Sequence, residues 1–246
     1  ARRSRSNVDE KNSTDKLWLY IMKSFFKPML LILWKDILTE IRNKDIILAS
    51  FVFAVLVLVI CNFAFDITPA TVHILASGIL WISFTFAGIL IMTRSFVVEN
   101  ELDSLEGLLL CPISRDSLYW GKMLSLFLFM MVVELLLLPI FAVLFDYNVL
   151  SLSLILIMVL ATIGFATVGT LFASMSVNTR AREIMLPILF FPIVTPVLIA
   201  AVEASMSIIG GGTSVINIRG WIEMLIVFDV VYLVVCPWAF GFVVEE

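Results

Sequence analysis

Residues 123–145 read MLSLFLFMMVVELLLLPIFAVLF, 23 positions with a single charge, Glu134. A hydrocarbon core about 30 Å thick is crossed by about 20 helical residues, each adding about 1.5 Å. A helix apolar on every side is buried in a large core or in lipid. Five further stretches flank it: Ile46 to Phe65, Ile74 to Met92, Val149 to Ser176, Ile184 to Val202 and Trp221 to Val244. Turn-forming or charged material such as Phe65-Asp66-Ile67-Thr68-Pro69 and Asp146-Tyr147-Asn148 separates them. Of the 246 residues 61% are apolar and 15% charged, with a mean hydropathy of +1.09. Soluble domains run about 45–50% apolar and about 25% charged, so an ordinary soluble fold is excluded. The fold class expected is an all-α polytopic membrane protein with six transmembrane helices in residues 46–246.

Lys and Arg set the orientation, because positively charged flanks stay on the cytoplasmic side. Arg2, Arg3, Arg5, Lys11, Lys16, Lys23, Lys27, Lys35, Arg42 and Lys44 precede the first span. Arg94, Arg115 and Lys122 fall between the second and third, and Arg180 and Arg182 between the fourth and fifth. Only Arg219 falls on the opposite side. Both termini are therefore expected in the cytoplasm of a bacterium with the chain in its inner membrane, a mitochondrial inner membrane being the alternative. This distribution matters more than the net charge of −4, and no nucleic-acid partner is expected.

Ahead of the first span, residues 28–45 read as an amphipathic helix lying in the headgroup plane. Trp34, Ile37, Leu38 and Ile41 recur at helical spacing, while Lys35, Asp36, Thr39, Glu40, Arg42 and Asn43 cover the other side. Its plain role is an anchor; its functional role is an elbow joining a cytoplasmic partner to the first span. Residues 1–27, basic and Ser-rich at the start, read as a flexible cytoplasmic tail, although Leu17 to Phe26 could extend the helix.

Little in the chain resembles an active site. Cys61, Cys111 and Cys236 have no disulfide or metal-ligand spacing. His73 is the lone histidine, at the outer start of the second span, where an interfacial hydrogen-bonding role competes with ligation of haem or a metal. Gly121-Lys122 is followed by Met123 and belongs to no phosphate-binding loop. ATP and Mg would then reside in a separate chain, and this one is expected to be no enzyme. Glu134 and Asp229 fall at membrane depth, where a carboxylate costs at least about 2–3 kcal/mol unless neutralised, paired or wet. They are candidates for function or for pairing inside the bundle; Glu203 and Glu223, near the outer ends, are lesser candidates facing a substrate. Pro187, Pro192 and Pro196 predict a bent or broken fifth span, and Gly164 and Gly169 predict close helix contact in the fourth.

Between the second and third spans, residues 94–122 mix Glu99, Glu101, Asp103 and Glu106 with Phe96, Leu102, Leu105, Leu108 and Leu109 in a helical pattern. Cys111-Pro112 breaks it, and Ser114 can cap a second helix leading into the third span. So many leucines beside water call for a partner protein to cover them, or for the membrane surface itself.

The run Glu106-Gly107-Leu108-Leu109-Leu110-Cys111-Pro112-Ile113-Ser114-Arg115, followed by Gly121-Lys122, resembles the coupling loop of ABC-2 type membrane subunits, the type V exporter-like class. Gly78-Ile79-Leu80-Trp81-Ile82, Arg94-Ser95-Phe96, Val133-Glu134-Leu135-Leu136-Leu137-Leu138-Pro139, Thr179-Arg180-Ala181-Arg182-Glu183 and Phe228-Asp229-Val230 resemble the CcmB family of haem exporter subunits. The resemblance runs from about Trp34 to Glu246 and keeps the order of the motifs. It implies a permease paired with a CcmA-type ATPase and a second copy of itself, with CcmC-type and CcmD-type subunits and a CcmE-type haem chaperone as further partners. It implies haem, or release of the haem-loaded chaperone, as what the complex handles, with no cofactor held by this chain. It also implies that Glu99, Glu101, Leu102, Leu105, Glu106, Gly107, Leu108, Pro112, Ser114 and Arg115 dock on the ATPase.

Two other readings fit the residues. A proton-linked secondary transporter would use Glu134 and Asp229 with the Pro-rich fifth span as its broken helix. A passive scaffold would hold haem-handling subunits together and tolerate substitutions at Glu106, Gly107 or Pro112.

Overall fold

A computed structural model describes residues 25–42, 44–65, 72–101, 114–145, 151–176, 182–209 and 215–243. These form helix α1 over residues 25–42, then α2 (Asp45–Ala64), α3 (Val72–Glu101), α4 (Arg115–Phe145), α5 (Leu152–Ser176), α6 (Arg182–Ile209) and α7 (Val215–Val243). The six from α2 to α7 are each long and apolar enough to cross a membrane, and among the described residues there is no strand. In lipid a backbone must satisfy its own hydrogen bonds, which leaves helices as the form open to such sequences.

Most helices outrun the apolar stretches that announced them. Helix α3 continues past Met92 to Glu101, α4 begins at Arg115 rather than Met123, α6 continues past Val202 to Ile209, and α7 begins at Val215 rather than Trp221. Hydropathy measures the length immersed in lipid, whereas helical hydrogen bonding continues until a turn stops it. Ser114 provides such a stop: its carbonyl accepts from Leu118 N–H at 3.2 Å and its hydroxyl from Ser117 N–H at 3.4 Å. Three prolines fail to break α6, which runs as one helix through Pro187, Pro192 and Pro196.

Helix α5 is the axis of the bundle. It packs against α3, α4, α6 and α7, and Ala161, Phe165, Ala166 and Val168 along it are buried. Its small residues let neighbours approach: a Cβ on Gly169 would sit 2.5 Å from the Met92 thioether of α3. Its hydroxyls are satisfied locally, with Thr167 and Thr170 donating to Ile163 O and Ala166 O. Helices α3 and α6 are joined where the buried Trp81 indole donates to Ser205 Oγ at 2.9 Å and Ser77 Oγ donates to Val202 O at 3.2 Å. Peripheral α2 and α7 turn Leu48, Val52, Leu56 and Ile60, and Val227, Val230, Val234 and Trp238, outward. An outward apolar belt fits a lipid solvent, in which no apolar face needs a protein cover.

Candidate functional site

The first eight residues of α4 touch three other helices, α7, α5 and α1. Arg115 Nη1 donates to Gly241 O in the last turn of α7 at 3.1 Å, a cation at the end of a helix where free carbonyls gather. One turn on, the buried Tyr119 hydroxyl donates to Thr167 O of α5 at 2.8 Å, and its ring lies 5.3 Å from that of Phe240. Arg115 and Tyr119 stand four residues apart, so one side of α4 reaches both α7 and α5.

The next pair turns to α1. A Cβ on Gly121 would meet Ile32 Cβ and Cγ2 at 3.0 Å and Met29 O at 3.1 Å, so the two backbones cross at a distance that only glycine permits without displacement. Beside that crossing, Lys122 Nζ donates to Asp36 Oδ1 and Oδ2 at 3.1 and 2.9 Å. Lys122 is 4% exposed and Asp36 7%, and Lys35 Nζ adds a contact to Asp36 Oδ1 at 3.2 Å. Removing one partner of a buried ion pair costs about 3–5 kcal/mol, since the other charge stays out of water.

Glu40, one turn beyond Asp36, is also buried and serves a different helix. Its Oε1 accepts from Ile47 N–H at 2.8 Å, so a carboxylate of α1 caps the first turn of α2, where the helix dipole favours negative charge. Between them Lys44 takes φ 54° and ψ 6°, a left-handed bend that ends the helical path of α1, and Lys44 N–H donates to Glu40 O. The sequence reading needs two corrections here. The described part of α1 covers residues 25–42, so Phe25-Phe26-Lys27, counted with the tail, are helical, and Asp45 belongs to α2. Asp36 and Glu40 do not lie on a solvated side: with Met29 and Ile32 they form a protein-facing side. Trp34, Leu38 and Ile41 make a second, exposed apolar side, and Thr39 and Arg42 a third, polar one.

Deeper in the bundle the two carboxylates singled out by depth have different surroundings. Glu134, 2% exposed, lies against Thr162 of α5, whose Oγ1 is 3.0 and 2.7 Å from the carboxyl oxygens and 2.7 Å from Met158 O. One hydroxyl hydrogen cannot serve the carboxyl and the carbonyl together. Asp229, 4% exposed, has no hydrogen-bond partner among the described residues for either oxygen. A Cβ on Gly164 of α5 would sit 2.9 Å from Asp229 Oδ1. The two carboxylates thus meet α5 at Thr162 and Gly164, two residues apart and so on different sides of that helix, and not each other. Glu203 is half-buried on α6, and Glu223 is an exposed partner of Arg219, Nε to Oε1 2.8 Å, within α7. Among the described residues no cluster of His, Cys, Asp and Glu could hold a metal ion.

Compared with known proteins, the chain matches the family described as CcmB protein over residues 27–246. The chain belongs to the CcmB family. It is 31% identical over 134 residues to heme exporter protein B of Rhodobacter capsulatus, covering 52% of this chain and 60% of that protein, which is less than two thirds of its length. It is 24% identical over 206 residues to heme exporter protein B of Bradyrhizobium diazoefficiens, covering 83% of this chain and 91% of that one.

The CcmB match begins inside α1, so Asp36, Glu40, Gly121 and Lys122 all lie within the matched residues. Of the residues expected to dock on an ATPase, Ser114 and Arg115 stand at the head of α4, while Leu102, Leu105, Glu106, Gly107, Leu108 and Pro112 lie outside the described residues. The side chains of His73, Glu99 and Glu101 lie outside them too. Sequence reasoning gave Asp36, Glu40, Tyr119 and Lys122 no contact role, taking Lys122 as a topology charge and as part of the coupling-loop resemblance. One signal was available: Met29, Ile32, Asp36 and Glu40 follow each other at steps of three and four, so the acidic pair continues an apolar helical stripe.

Proposed function

We propose that this CcmB-family chain is the membrane-spanning subunit of an ABC transporter whose separate ATPase drives haem export, or release of a haem-loaded chaperone, for cytochrome c assembly. The observation that carries the reading is the head of α4. The segment that resembles an ABC-2 coupling loop leads into Ser114 and Arg115, where α4 is tied to α7, α5 and α1. A push delivered there would reach most of the bundle. The names of both relatives, heme exporter protein B, supply the substrate class.

In this reading the Ser114 end of α4 faces the cytoplasm of a bacterium, an orientation that the distribution of Lys and Arg supports. The ATPase is of the CcmA type and holds ATP and Mg; a second copy of this chain, CcmC-type and CcmD-type subunits and a CcmE-type chaperone complete the assembly. Chemistry stays with the partners, and Glu99 to Arg115 form the docking surface.

The test is recovery of the chain from its own membrane in mild detergent, with mass spectrometry of what accompanies it and assay of ATP hydrolysis. An accompanying ATPase whose turnover falls at least about tenfold, or about 1.4 kcal/mol, with Glu106→Ala or Pro112→Ala is the expected result. Recovery of the chain without an ATPase sinks the proposal. It would promote the proton-linked transporter, the reading favoured by the unpartnered Asp229 carboxylate; transport would then follow a proton gradient and fail with Asp229→Asn.

A further inference from the structure

We infer that the buried Lys122–Asp36 pair is a positioning contact of the coupling step, carrying movement of the head of α4 through α1 into α2. The inference rests on the driven-subunit reading above and adds residues outside the stretch expected to dock on the ATPase. Three contacts in series carry it. Gly121 lets α1 lie against α4 with Ile32 and Met29 in van der Waals reach, so a push normal to the crossing meets packed atoms. Lys122 holds both oxygens of Asp36 at 3.1 and 2.9 Å with both side chains removed from water, so motion along the crossing stretches a poorly screened ion pair. Glu40 then holds Ile47 N–H of α2 across the Lys44 bend at 2.8 Å. Asp36 and Glu40 are one helical turn apart on the same rigid helix, so displacement at one is delivered at the other.

A lipid anchor accounts for none of these features. Anchoring requires the exposed stripe of Trp34, Leu38 and Ile41, and it would leave acidic side chains in water. Instead α1 buries two carboxylates on named partners in two different spans. Such an arrangement fixes α1 to α4 and α2 together, and the three move as one body.

The experiment uses the intact complex in lipid nanodiscs, comparing Asp36→Asn, Lys122→Gln and the exchanged pair Asp36→Lys with Lys122→Asp. Two quantities are read: amide hydrogen exchange over residues 25–50, and haem loaded onto a reporter c-type cytochrome per ATP hydrolysed. Each single variant is expected to speed exchange about tenfold and to lower haem loaded per ATP about tenfold, with ATP hydrolysis and ATPase recovery within about twofold of the parent. The exchanged pair is expected to restore both, which a merely space-filling role would not produce. Unchanged exchange in both single variants overturns the inference, as does unchanged loading per ATP despite faster exchange. If neither single variant accumulates, Gly121→Ala keeps both charges and displaces Ile32, with the same outcomes deciding. A parent complex that contains no ATPase overturns the driven-subunit reading and the transmission role with it. A parent complex that contains one, with variants that stay coupled, overturns only the role given to the pair.

Discussion

The head of α4 and the middle of α5 both bury ionisable side chains, and they do so in opposite ways. At the head of α4 the ammonium of Lys122 meets the carboxylate of Asp36 across two helices, and Glu40 meets a backbone donor of a third. Around the middle of α5, Glu134 has a shared threonine hydroxyl and Asp229 has no partner among the described residues. A paired charge resists separation, because parting it leaves both ions in a poor solvent. An unpartnered carboxyl group ties no helices together, and its burial is a cost to the fold. The first region therefore holds helices together, and the second buries a carboxyl group that no described residue partners.

Substitutions can break this contrast or sharpen it. Lys122→Met should have the largest effect, lowering stability by about 3 kcal/mol, the low end for a buried pair because Lys35 still reaches Asp36. The thermal unfolding midpoint of the purified chain would show it, and a midpoint equal to the parent would remove the claim that this buried pair holds α1 to α4. Asp229→Val should act in the other direction, raising stability by about 1–2 kcal/mol because a buried polar group without a partner disappears. A marked loss of stability would mean that Asp229 has a structural partner after all. Glu40→Ala should cost about 1 kcal/mol, the worth of a lost helix cap, and should speed amide exchange at Ile47 before other sites in α2. Arg219→Ala is the exposed control: both side chains of its pair with Glu223 are exposed, and its loss should change stability by less than about 0.5 kcal/mol.

The six long helices were legible because lipid imposes a length and an apolarity that few other contexts require. Their ends were less so. The eight residues from Arg115 to Lys122 carry Arg, Asp and Lys, which lower the hydropathy without interrupting a helix. Ser114 was found by its capping chemistry, which is local and needs no knowledge of the fold. Asp36 and Glu40 were misread because dividing a helix into apolar and polar sides assumes that polar means solvated. The cation that makes burial of Asp36 tolerable lies 86 residues away and no local pattern announces it. Depth alone picked out Glu134 and Asp229. It could not show that both meet α5, at Thr162 and Gly164, since that depends on which helices are neighbours in the bundle.

That separation of 86 residues along the chain also orders how the protein is made. At a synthesis rate of about 5–20 residues per second, Asp36 leaves the ribosome about 4–17 s before Lys122 does. Until then α1 has no ion partner in α4 and its acidic side must stay wet, while the start of α2 can already take its cap from Glu40. The elbow is thus built in two stages. The bend to the first span can be set early, and the latch onto the third can close only after Lys122 has been made.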